Sequence, residues 1–206
     1  MIIVDVETTG VYPDRHSIVS IGAVDFAFPA NYFYKECRPF DGAEIEAESL
    51  ERNGFSHEEL ADPSRPSLFT ALQDFIAWAR ECPDMTIAGA NAFFDRDFLR
   101  SAAERFHLEW PFGQRIVDLH SVCYAHMAGR GKRPPMKGSR ADLTNDHVLT
   151  YVGLPPETFP HHSLTGARME AEAFSRLLHS RPLFQDLEQH PLPEWASDSG
   201  GQRNLF

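Results

Sequence analysis

The chain has 206 residues, 42% of them hydrophobic, which is enough for one well-cored domain plus a tail. Its 19 basic and 30 acidic residues give a net charge of -11, which argues against broad binding along a duplex backbone but leaves room for an enzyme that grips a strand end. Three scattered cysteines, Cys37, Cys82 and Cys123, lack metal-ligand spacing and suggest a reducing, cytoplasmic setting. The N-terminus begins directly with a strand-like run, so no signal peptide is expected, and no stretch is long and apolar enough to predict a membrane span.

In chain order, Met1 to Val6, Ile18 to Phe26 and Tyr32 to Arg38 read as three strands joined by short turns. The apolar spacing of Leu68, Phe69, Leu72, Phe75, Ile76 and Ala79 predicts an amphipathic helix after Pro66. A strand over Thr86 to Ala90 leads into a helix marked by Phe98, Leu99, Ala102, Ala103 and Phe106. Arg115 to Asp118 reads as a short strand running into a helix through His126, with Asp118 as its cap. A break at 129–140 carries Arg130, Lys132, Arg133, Lys137 and Arg140 without an acid; it reads equally as a phosphate-contacting loop and as an ordinary solvated one. Helices near 141–152 and 163–179 follow, the second with Ser163 as its expected N-cap, and Pro182 to Phe206 reads as an ordered edge fading into a tail. Hairpins followed by alternating helices and strands indicate an α/β fold with a mixed sheet in one domain, 1–180, and a C-terminal extension, 181–206.

Three segments carry the chemistry. The first run ends in Asp5-Val6-Glu7-Thr8-Thr9-Gly10, and residues two apart on a strand point the same way. Two carboxylates leaving one face of a buried strand repel unless a cation sits between them. The plain alternative is a strand end reaching solvent. The second segment, Asn91-Ala92-Phe93-Phe94-Asp95, sets Asp95 near a helix N-terminus, where an acid is also at home for dipole reasons alone. Either Phe93 or Phe94 faces a base or, as expected of such residues, fills the core. The third is His161-His162-Ser163-Leu164-Thr165-Gly166-Ala167.

Together these motifs resemble the histidine subclass of the DEDD superfamily of 3′→5′ exonucleases, also called DnaQ-like, over roughly residues 1–180: Asp-x-Glu-Thr-Thr-Gly through Asp5 to Gly10, Asn-x-x-Phe-Asp through Asn91, Phe94 and Asp95, and His-x-x-x-x-Asp-Ala through His161 and Ala167. Asn53 to Leu60 is similar to the family's segment between the third strand and the next helix. The resemblance implies a ribonuclease-H-like sheet and hydrolysis of single-stranded 3′ ends to mononucleotides, with DNA favoured over RNA. It implies two Mg²⁺ or Mn²⁺ ions on Asp5, Glu7 and Asp95, and contacts from Thr8 and Asn91 to the terminal nucleotide. It makes His161 the general base, with His162 as the alternative if the loop is shifted.

Gly166 departs from the pattern, standing where the family places its fourth metal-binding aspartate. This motivates a rival reading, a binding module that keeps the fold and has lost catalysis. Glu170, one helical turn on, is the nearest substitute, although a solvated helix residue is the favoured expectation for it. Restoring the acid with Gly166→Asp is expected to raise activity. The chain ends in Gln202-Arg203-Asn204-Leu205-Phe206, similar to the short peptides that dock on a sliding clamp, with a stray apolar terminus an equal alternative.

Overall fold

In a computed structural model, residues 1–197 are described. The order is β1 (Ile2–Thr8), β2 (Ile18–Asp25), β3 (Tyr32–Glu36), α1 (Ala47–Asn53), α2 (His57–Ala61), α3 (Leu68–Arg80), β4 (Ile87–Gly89), α4 (Ala92–Arg105), β5 (Val117–Asp118) and α5 (Leu119–Gly129). Then come β6 (Met136–Lys137), β7 (Arg140–Ala141), α6 (Asn145–Tyr151), α7 (Ser163–His179), a 3₁₀ turn at Gln185–Leu187 and α8 (Glu194–Ser197). The five-stranded sheet runs β3-β2-β1-β4-β5, antiparallel on the hairpin side and parallel through β1, β4 and β5. This is the mixed α/β sheet, of ribonuclease-H-like type, that the hairpins and alternating elements predict.

The strand alternation of β1 sorts its residues between two cores. Ile2, Val4 and Val6 pack with α3 and α4. Ile3 faces the other way, into the core built with α5, α6 and α7. Asp5 and Glu7 follow Ile3 on that second face. Beyond Glu7 the β1–β2 pairing slips by one residue, since Glu7 pairs with Ser20 and Thr8 with Ile18. Such a bulge re-aims the chain next to the strand end.

Close approach of α7 to the sheet depends on two glycines. A Cβ on Gly22, the β2 partner of Asp5, would run into the backbone of Ser163 and Leu164. A Cβ on Gly89 would stand 2.8 Å from the Val4 carbonyl and 3.1 Å from Glu170 Oε2. Ser163 is therefore fully buried, bonded through its hydroxyl to Ser20 at 2.9 Å. It is not the N-cap; His162 takes that place and accepts from the Thr165 amide. The helix simply begins one residue earlier in the motif than its hydroxyl residue suggests.

Three further expectations change. The short helices α1 and α2 lie where only a resemblance to a connecting segment is legible. The basic break at 129–140 contains the small β6–β7 hairpin rather than loop alone. Residues 183–190 are tied to α7 by a buried ion pair. Arg176 Nε donates to Glu172 Oε1 at 2.6 Å, and its other nitrogens reach the carbonyls of Val152, Leu187 and His190. Glu172 in turn accepts from the amides of Leu183 and Phe184. Among the described residues no helix is long and apolar enough to cross a membrane. All three cysteines are free and buried. The terminal Gln202, Leu205 and Phe206 lie outside the described residues.

Candidate active site

Each carboxylate is placed by backbone at the C-terminal edge of the parallel strands, where open α/β sheets form their crevices. β1 outruns β4, pairing with it only at Ile2 and Ile3, so the Val6 amide lacks a strand partner there. Asp95, in the first turn of α4, supplies the acceptor: Val6 N–H donates to Asp95 Oδ1 at 2.9 Å. At the end of β4 the Ala90 amide donates to Glu170 Oε2 at 3.0 Å. The Asn53 side chain donates to the Thr8 carbonyl at 3.0 Å and pins the end of β1.

Asp5, Glu7 and Glu170 line one cavity of about 470 Å³ together with Thr8, Asn91, Phe94, Glu157 and His161; Asp95 lies buried beside it, on the Val6 amide and close enough to raise Asp5. Glu7, Asp95 and Glu170 are buried. Burial, with mutual repulsion behind it, pushes these acids up. Asp5 is held well above the usual carboxylate range by desolvation and then by Glu170, Asp95, Glu7 and Glu157. Desolvation raises Glu7 to about 7, with Glu157 adding and Arg52 opposing. Desolvation likewise raises Asp95 to about 8 against the pull of its backbone hydrogen bonds. Glu170 is raised by desolvation and then by Asp95, although the Ala90 amide lowers it.

Carboxylate oxygens crowded into one cavity, with no thiol among them, fit a hard divalent cation, which would offset the repulsion. Asp5, Glu7 and Asp95 are the motif residues that would hold it. Among the described residues no three His, Cys, Asp or Glu side chains are gathered closely enough to grip an ion as they stand. Like charges in a poorly solvated space keep apart. The motif's vacancy is also occupied: Asp5 Oδ2 sits where a Cβ on Gly166 would need to be.

The two histidines separate. His161 lines the cavity, with its amide donating to the Arg52 carbonyl at 2.9 Å and Nδ1 3.7 Å from Glu157 Oε1. His162 is exposed, stacks on Tyr34 with ring centroids 4.5 Å apart and does not line the cavity. Thr8 is buried, its hydroxyl donating to the Gly10 carbonyl at 2.7 Å. Asn91 is exposed in a left-handed conformation, φ 55°, at the start of α4.

Glu170 is not the solvated helix residue that its spacing suggests, because α7 presents that face to β4 and the cavity. Phe93 is 52% exposed and leaves the core to Phe94, which packs on Phe98 and also reaches the cavity. Sequence reasoning misses Glu157, Arg52 and His120 as cavity residues. The first two lie on segments with no periodicity to read. His120 follows Asp118, which caps α5 through the Ser121 amide as expected; the imidazole Nδ1 accepts from the Asn91 amide at 3.2 Å.

A family model, that of the RNase T group and described as Exonuclease, matches residues 2–174. An Escherichia coli protein described as the 3'-5' DNA exonuclease Cap18 is 30% identical over 179 residues, covering 83% of this chain and 87% of its own. A ribonuclease T from Marinobacter nauticus is 29% identical over 143 residues, covering 61% of this chain and 64% of its own. The solved nuclease domain of 3'hExo, a DEDDh family member bound to rAMP, has the same fold, with a TM-score of 0.65 over 94% of this chain and 95% of its own at 16% identity.

Proposed function

The chain belongs to this exonuclease family, and from that premise we propose that it is a divalent-metal-dependent 3′→5′ exonuclease releasing mononucleotides from single-stranded DNA. The observation that carries the reading is the convergence of Asp5 and Glu7 from β1 and His161 from the segment before α7 on one cavity, with Asp95 of α4 held beside it on the Val6 amide. Mg²⁺ or Mn²⁺, two ions, would when bound polarise the scissile phosphate and activate the attacking water. Asp5, Glu7 and Asp95 would hold them.

His161 takes the proton of the attacking water. Its Nδ1 edge faces Glu157, which favours Nδ1–H and leaves Nε2 free to act as base. Thr8 and Asn91 frame the bed of the terminal nucleotide, Thr8 with its hydroxyl committed to Gly10. Arg52, at the cavity wall, is placed to meet a phosphate that the surrounding acids repel.

The preference for DNA is supported by the likeness to the DNA exonuclease, at 30% identity over most of both chains. The ribonuclease T relatives make RNA the alternative outcome of the test. End-labelled single-stranded DNA and RNA of equal sequence, incubated with Mg²⁺, Mn²⁺ or chelator, decide it. Mononucleotide release from DNA that chelator abolishes is the expected result. Both oligomers surviving intact while binding the protein would establish instead the non-catalytic module that Gly166 suggests.

The terminal Gln202, Leu205 and Phe206 offer a sliding clamp a polar group and two apolar ones. A peptide of the last residues should bind the clamp, and Leu205→Ala with Phe206→Ala should abolish that binding while sparing hydrolysis.

A further inference from the structure

The cavity has a carboxylate that the motif does not account for. Glu157 lies in the segment between α6 and α7, held at both ends: its amide donates to Asp146 Oδ1 at 3.2 Å, and the His161 amide reaches back to α1. The Glu157 side chain is 13% exposed and faces the cavity. Its Oε1 stands 3.4 Å from the point where a Cβ on Gly166 would be. An aspartate at 166 would carry its own oxygens about 2.4 Å from that point, so Glu157 brings an oxygen from the neighbouring segment into the same small region. From that side its charge acts on Glu7 and Asp5. Glu170, the other extra acid, is committed elsewhere, since it accepts the Ala90 amide at the Gly89 edge of the cavity. Asp95 is likewise held by Val6. Among the described residues Glu157 accepts no backbone amide in this way; its near neighbours are His161 and the Asn145 side chain, which hydrogen-bonds to it.

We propose that Glu157 is a metal ligand of this site, supplying beside Asp5 and Glu7 the acid that position 166 lacks. The inference rests on the exonuclease reading above. In this arrangement the ligand has moved from the helix to the segment that also carries His161. The acid and the base then travel together, and removal of the helix side chain leaves Asp5 room to turn toward α7.

Direct Mn²⁺ titration of chelator-stripped protein, by calorimetry and by the loss of the free-ion paramagnetic signal, tests this without substrate or turnover. Glu157→Gln should weaken one Mn²⁺ by about tenfold or more, in the range that loss of a well-placed metal-site group costs. Glu157→Asp, which keeps the charge and shortens the reach, should fall between it and wild type. Glu48→Gln is the control, an exposed acid on the cavity rim that alters general charge only, and should change affinity by less than about twofold. Melting curves of each variant confirm that it is folded. If Glu157→Gln binds Mn²⁺ as Glu48→Gln does and merely slows hydrolysis, Glu157 serves His161 alone and the inference is overturned. If Glu170→Gln carries the whole loss instead, it is overturned as well. A wild-type chain that neither binds Mn²⁺ nor cleaves DNA overturns the exonuclease reading itself, an outcome separate from the other two.

Discussion

Asp5 Oδ2 fills the space that a side chain on Gly166 would need, so the strand acid and the helix glycine are matched to each other. An added Cβ must push Asp5 aside. Gly166→Asp is therefore not a simple gain of a ligand, contrary to what the motif alone leads one to expect. Gly166→Ala should lower kcat/KM by between about tenfold and 100-fold, as misplacement of an active-site group by about an ångström does. Gly166→Asp should give no increase over wild type in the same assay. A several-fold gain in hydrolysis for Gly166→Asp would show that Asp5 yields freely.

The acids set a pH dependence on the metal-free fold. Glu7 is raised from 4.5 to about 7 and Asp95 from 3.8 to about 8. The folded state then binds more protons than the unfolded chain across that window. Their contribution to stability is complete below about pH 4 and is lost as pH rises through 7 and 8. In chelator, Tm should fall between pH 6 and 8.5. Added Mn²⁺ should raise Tm most at the alkaline end, because ions compete with protons for the same oxygens. A chelated protein whose Tm is flat or rising over this range would refute the assignment.

Glu170 offers a stability–activity contrast. Glu170→Gln keeps an oxygen for the Ala90 amide and removes one charge from a crowded, buried set. Without metal, at a pH where Glu170 is ionised, the variant should melt higher, by about 2–4 °C for each kcal/mol of repulsion relieved, while hydrolysis declines. A lower Tm would mean that the Ala90 hydrogen bond depends on the charge more than the repulsion costs.

How much of this was legible before folding depends on the kind of signal. Asp5 and Glu7 were readable because a strand has period two and the run ends in acids. Asp95 was readable because it opens a helix with a clear apolar stripe. Glu170 was misjudged because helical spacing gives a face but not its neighbour; only the close approach permitted by Gly22 and Gly89 turns that face onto β4. Glu157 and Arg52 had no local signal, since their relevance comes from segments brought together across the sheet. Ser163 shows the same limit on a smaller scale, its hydroxyl spent on Ser20 rather than on a cap.

The Arg176–Glu172 pair predicts what removing the last part of the chain would do. Arg176→Met leaves the Glu172 charge buried, with only the Leu183 and Phe184 amides to meet it, and should cost about 3–5 kcal/mol. Ending the chain at residue 180 strands both partners, removing the Leu187 and His190 carbonyls along with those amides. The truncated protein should be poorly soluble or melt far below the full chain. Equal melting of the two, followed by circular dichroism, would show that the pair is not needed to hold residues 183–190.

The alternation along β1 has a bearing on folding as well as on chemistry. β1 and β2 are apolar toward both cores, so their hydrophobic residues alone do not distinguish one pairing from its neighbour. A slip by one residue would turn Asp5 and Glu7 into the layer of α3 and α4, where Phe75, Phe98 and Leu99 pack with no cavity to receive them. The wrong pairing would bury two unpaired charges, and only the native one turns them toward the cavity. The two strand acids thus also act as the registration mark of the sheet, discriminating among alignments that the greasy positions would accept alike.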